Sequence, residues 1–149
     1  MGLSNLLKDY KITRVANSAV AATTDVTSSV LDMTGYDSVM FVAALGDVTV
    51  NSVLTLTVKE NTANSTSSPT PTAITGAATA AYTATATDAD NKLLVVDVLR
   101  PAQRYVFCIL SRTAANAVVD GIIAIQYNAK ALPVTQSSDV LASALAING

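Results

Sequence analysis

The chain has 149 residues, a formal net charge of −2 and only 13% charged residues beside 50% apolar ones, where an average soluble domain carries about 25% charged. That length suits one domain with a core of its own, and the basic residues are scattered singly, which speaks against nucleic-acid binding through phosphate neutralisation. With no histidine, one glutamate (Glu60) and one cysteine (Cys108), the chain lacks the commonest general base and metal ligand and cannot close an internal disulfide.

At the start of the chain, Leu3, Leu6, Leu7 and Tyr10 recur at i, i+3, i+4 and i+7, the spacing of one helical face. Ser4 is placed to cap that turn. Eight residues are too few for an independent helix, so residues 1–18 are predicted to form an amphipathic arm that docks on its own core or on a neighbouring subunit. Lys8, Asp9, Lys11 and Arg14 interrupt any signal-peptide apolar region, and Leu6 stands where a myristoylation motif needs Ser or Thr.

The body, residues 19–131, reads as strands. Val26–Met33 is a first candidate, closed by Gly35. Val39–Leu45 is apolar on both parities, as in a central strand packed on two sides. Gly46-Asp47 is predicted to turn the chain into Val48–Glu60, where Val48, Val50, Leu54, Leu56 and Val58 share one parity and Thr and Lys residues the other. Residues 61–72 (NTANSTSSPTPT) form a low-complexity loop, since Pro69 and Pro71 forbid a central strand. Tyr82–Thr87 alternates Ala with Thr as a weakly specified strand, and residues 87–91 are a polar turn.

Leu93–Leu99 and Tyr105–Leu110 are again apolar on both parities and are predicted to be central strands. Residues 114–116 break the last hairpin. Asp120–Asn128 places Ile123, Ile125 and Tyr127 on one parity and Gln126 and Asn128 on the other, with Asp120-Gly121 a turn or a bulge at its start. The tail, residues 132–149, follows Pro133 and carries Val134 and Leu141. It is expected to form a helical turn near 139–145 or to lie extended on a neighbour. Seven or eight short strands without long helices predict an all-β, antiparallel sandwich of jelly-roll type in a single domain.

Chemistry-bearing clusters are scarce. Asp88-Ala89-Asp90-Asn91 lacks the Gly and distal Glu of a calcium loop and is predicted to be a turn. Cys108 lies in an apolar stretch and has no histidine to activate it. Asn64-Ser65-Thr66 matches a glycosylation sequon by composition alone. Arg100, Arg104 and Arg112 are expected at solvated strand ends, with ion pairs to an acidic partner surface as the functional alternative. No cofactor, metal or membrane partner is expected, and no apolar run reaches the roughly 18 residues of a membrane span. The chain is expected to be soluble and made in a cytoplasm. Its sparsely ionised surface implies that neighbours cover part of it.

Two stretches, Leu31–Gly46 (LDMTGYDSVMFVAALG) and Leu99–Ser137, carry a family resemblance. The elements are Asp32–Phe41 (D-x-x-G-Y-D-x-V-x-F), Arg100–Val106 (R-P-x-x-R-Y-V), Asp120–Tyr127 (D-G-I-x-A-I-x-Y) and Pro133. They resemble the capsid decoration, or cement, proteins of tailed bacteriophages, and they span about half the chain. The resemblance implies a non-enzymatic virion protein on the outer capsid surface. Its partners would be itself, as a dimer or trimer, and the major capsid protein. Leu3, Leu6, Leu7, Tyr10, Arg100, Arg104, Val134 and Leu141 are the candidate interface residues. A head–tail connector, a tail protein and a carbohydrate-binding sandwich of a fibre or spike stand as alternatives.

Overall fold

The computed structural model describes residues 5–147. One helical turn, α1 (Leu6–Asp9), precedes eleven strands: β1 (Lys11–Ala16), β2 (Ala19–Ala22), β3 (Val26–Thr27), β4 (Leu31–Asp32), β5 (Tyr36–Val48), β6 (Val53–Asn61), β7 (Thr72–Ala78), β8 (Tyr82–Thr83), β9 (Leu93–Leu99), β10 (Tyr105–Thr113) and β11 (Ala117–Ala129). All pairings are antiparallel. One sheet runs β1-β11-β5-β9, with β2 continuing the edge beside β11. The other runs β3-β10-β6-β7, with β4 beside β10 and β8 beside β6.

Three of these edges are single strands interrupted once: β1 with β2, β3 with β4, β7 with β8. Counted that way, eight strands in chain order give sheets 1-8-3-6 and 2-7-4-5, the jelly-roll order. The sheets face each other across a core that includes Val39, Phe41, Leu54, Leu56, Val58, Val106, Leu110 and Ile122, each fully buried. β6 alternates as predicted, with Leu54, Leu56 and Val58 inward.

Gly46-Asp47 is not a turn. β5 runs through both residues to Val48, and the turn falls at 49–52, where Asn51 takes a left-handed φ of 70°. Gly46 is required for close packing instead: a Cβ there would lie 2.9 Å from Val118 Cγ1 and from Asp120 Oδ1. Asp120-Gly121 is a bulge. The register slips between Val119 and Gly121, and Gly121 holds φ +147°.

Three further differences matter. Residues 11–16, expected in the arm, form β1 and pair with β11. Residues 72–78, not predicted as a strand, form β7 along β6. Arg112 is not a solvated strand end but is buried, donating to the carbonyls of Thr24 (2.7 Å), Val20 (2.8 Å) and Ala117 (2.5 Å). It ties β10 to the 20–24 segment through backbone carbonyls. The 61–72 loop is also well tied: Asn61 is buried, and its amide donates to the carbonyls of Ser65 (2.8 Å) and Pro69 (2.9 Å).

Candidate functional site

The β1-β11-β5-β9 sheet has an unusual outer face. Along β11 the inward residues are Ile122, Ala124 and Gln126, and the outward ones are Ile123, Ile125 and Tyr127. The more apolar parity thus points away from the core. Gln126 is tolerated inside because its amide donates to the Asp32 carbonyl at 2.9 Å. The registers set Ile12, Ile125, Met40 and Asp97 in one row across the sheet, and Arg14, Ile123, Val42 and Val95 in the next. Within these two rows the charges are Arg14 and Asp97.

β9 contradicts the expectation of a central strand: it is the end strand of its sheet. Val96 and Val98 face the core, while Leu93, Val95 and Leu99 are 59, 44 and 68% exposed. Its double-sided apolar pattern therefore serves the core on one side only. Large apolar side chains gathered on one exposed face mark an interaction surface.

The two chain ends border this face. Asn5, not Ser4, caps α1, its Oδ1 accepting from Leu7 N at 3.1 Å; Ser4 and Leu3 lie outside the described residues. Tyr10 packs edge-on against Tyr127 with ring centres 6.2 Å apart. A groove of about 390 Å³ lies between Leu6 and Tyr10 above and Met40, Ile125 and Tyr127 below. Tyr127 donates to Asp97 Oδ1 at 2.5 Å across β5, and burial first, then this acceptor, pushes its hydroxyl up to about 12. Leu7 is half-buried and Leu6 is exposed.

The tail returns along β1. Gln136 Oε1 accepts from Ile12 N at 2.9 Å, its amide donates to the Leu7 carbonyl at 2.8 Å, and Asp139 Oδ2 accepts from Arg14 N at 3.1 Å. Val134 N donates to the Lys8 carbonyl at 2.8 Å. These contacts satisfy the outward donors of β1 with side chains rather than with another strand. No helix forms over 139–145: a turn closes at Val140 N to Ser137 O, and Leu141 is 99% exposed.

Arg100 and Arg104 come together, as walls of a cleft of about 560 Å³ at one end of the sandwich that Tyr36 and Lys130 also line. Arg104 is already engaged there by Asp32 at 2.8 Å. Arg100 is exposed at a left-handed φ of 52°, just after β9. Asp88 is held inside its turn by Thr85 Oγ1 (2.6 Å), Tyr82 Oη (2.7 Å) and Thr85 N (2.7 Å), and those donors, the Thr85 hydroxyl first, lower its carboxyl pKa. Asp90 Oδ1 accepts from Val48 N at 2.9 Å. Both carboxylates thus brace the 87–91 turn. Cys108 is buried, and desolvation pushes its thiol up to about 11.

No helix among the described residues is long and apolar enough to cross a membrane. Comparison with protein-family models finds no match, and comparison with curated proteins finds none either.

Proposed function

We propose that this chain is a non-enzymatic structural subunit of a tailed-bacteriophage virion that binds the outside of the capsid and cements neighbouring capsomers. One observation carries the reading: Ile123, Ile125 and Tyr127 face outward from β11 while Gln126 faces the core. A strand that turns its greasier side to water is completed only when another surface covers it.

The fold does not assign a function by itself, although jelly rolls serve as viral capsid and lectin domains. The motifs that resemble decoration proteins fall on structural joints of this sandwich: Asp32 with Arg104, and the Asp120-Gly121 bulge. Many identical weak contacts repeated over a shell add up to tight attachment, and a ligand that binds only the assembled shell stabilises it. The exposed Leu141 and Leu6 at the chain ends suit contacts with adjacent capsomers. A carbohydrate-binding reading draws less support, because Tyr10 and Tyr127 meet edge to face and offer no open flat platform.

Co-sedimentation of the purified chain with expanded tailed-phage capsids tests the proposal. Saturable binding in a stoichiometry that matches the capsomers is expected. Binding confined to the portal vertex would point to a connector, and a chain left in the supernatant would overturn the reading.

A further inference from the structure

The two edges of the β1-β11-β5-β9 sheet are treated differently. The β1 edge is closed by the tail through Gln136 and Asp139. No strand among the described residues pairs the far edge of β9. Folded proteins usually blunt such an edge with Lys, Pro, a bulge or a covering segment; the seven residues of β9 (LLVVDVL) contain no Lys or Pro.

The direction of the free groups follows from the ladder. Leu45 N donates to Lys92 O and Arg100 N to Asp37 O, each at 2.9 Å. Residues of that parity, Leu94, Val96 and Val98, therefore bond to β5. Leu93, Val95, Asp97 and Leu99 aim their N–H and C=O groups at the open edge, and their side chains at the outer face.

We infer that β9 pairs antiparallel with β9 of a second copy, about a two-fold axis at Val96. Centred there, Leu93 meets the mate's Leu99, Val95 meets its Asp97, Leu94 meets its Val98, and all seven residues find partners. Shifting the centre to Asp97 sets two carboxylates directly opposite, which destabilises a pair. Shifting it to Val95 sets Leu93 against Asp97 and leaves Leu99 unmatched. Charge and length together select the Val96 register. Asp97 is already bonded to Tyr127 at 2.5 Å, which steadies it beside the mate's Val95. Lys92 and Arg100 would face each other only past the paired segment, where both are exposed. A two-fold contact of this kind is self-complementary and closes at two copies. It joins both outer faces into one apolar surface.

This inference deepens the assembly reading above by naming the edge through which copies join, and it is tested without a capsid. Sedimentation velocity of the full chain over a concentration series, with amide hydrogen exchange on the same samples, is the experiment. A dimer is expected in which the Val95 and Asp97 amides gain protection as concentration rises. Val95→Glu sets a carboxylate directly opposite the mate's Asp97 and should raise the dissociation constant by about tenfold or more. Val95→Pro removes a donor that the monomer does not use in its ladder and should act in the same direction. A monomer at every concentration, a trimer, or a dimer whose Val95 and Asp97 amides exchange freely would overturn the inference. A dimer that ignores capsids would overturn only the preceding reading, and a monomer that decorates them only this one.

Discussion

Asp32 and Arg104, 72 residues apart in sequence, meet as a fork: Arg104 Nε donates to Asp32 Oδ1 at 3.0 Å and Nη2 to Oδ2 at 2.8 Å. Thr34 adds two further bonds to Asp32 Oδ1, and Arg104 lies over the Tyr105 ring. The pair fastens the end of β4 to the start of β10 beside the cleft that holds Arg100.

Arg104 and the Thr34 donors hold the Asp32 carboxyl far below the usual carboxylate range. A group whose folded pKa is depressed adds stability above its unfolded pKa, about 3.9, and loses it as pH falls through the folded value. Asp32→Asn should therefore lower the melting temperature modestly at neutral pH. The gap to wild type should hold down to about pH 4 and shrink below it. Both side chains are roughly half exposed, so added salt should narrow the gap as well. Calorimetry across pH and salt checks both trends.

Arg112 is a different case. Its buried guanidinium satisfies three backbone carbonyls. Arg112→Met would leave those acceptors without a donor, at a cost of about 2–4 kcal/mol. The urea midpoint should fall with little change in slope.

The two faces of the β1-β11-β5-β9 sheet should respond oppositely. Ile122, fully buried on the inner face of β11, should cost about 2–5 kcal/mol on replacement by Ala. Ile123→Ser, on the outer face, should change the stability of the isolated chain by less than about 1 kcal/mol. That same substitution should abolish capsid co-sedimentation. Equal stability losses for the two would mean that the outer face belongs to the chain's own core.

The tail contacts predict a local effect. Gln136→Ala removes the acceptor for Ile12 N and the donor to the Leu7 carbonyl. The Ile12 amide should then exchange faster, while amides of β5 keep their protection. Exchange measured by NMR at single-residue resolution reads this directly.

Much of the sandwich was legible because β6 and β10 carry strong β-branched patterns, and Pro69 and Pro71 marked the 61–72 loop. What failed did so for tertiary reasons. Gly46 carries a turn signal, but packing against Val118 and Asp120 requires the missing Cβ inside β5. β9 looked central because local pattern cannot tell a strand buried on two sides from an edge strand whose outer side awaits a partner. β1 was hidden by its charges, Lys11 and Arg14, and β7 by its Ala, Thr and Gly content, which carries little strand preference. Of the candidate interface residues, Leu6 and Tyr10 share one groove and Arg100 and Arg104 one cleft. The most informative surface, Ile123 to Tyr127 with Leu93 and Val95, could not be found from sequence. Alternation shows which residues share a face, and only the sheet pairing shows which face is out.

A cryo-EM map of a decorated capsid tests the central claim most directly. It should place the outer face of the β1-β11-β5-β9 sheet, with Ile123 and Val95, against a neighbouring chain. Density in which that face borders bulk solvent on every copy would contradict it.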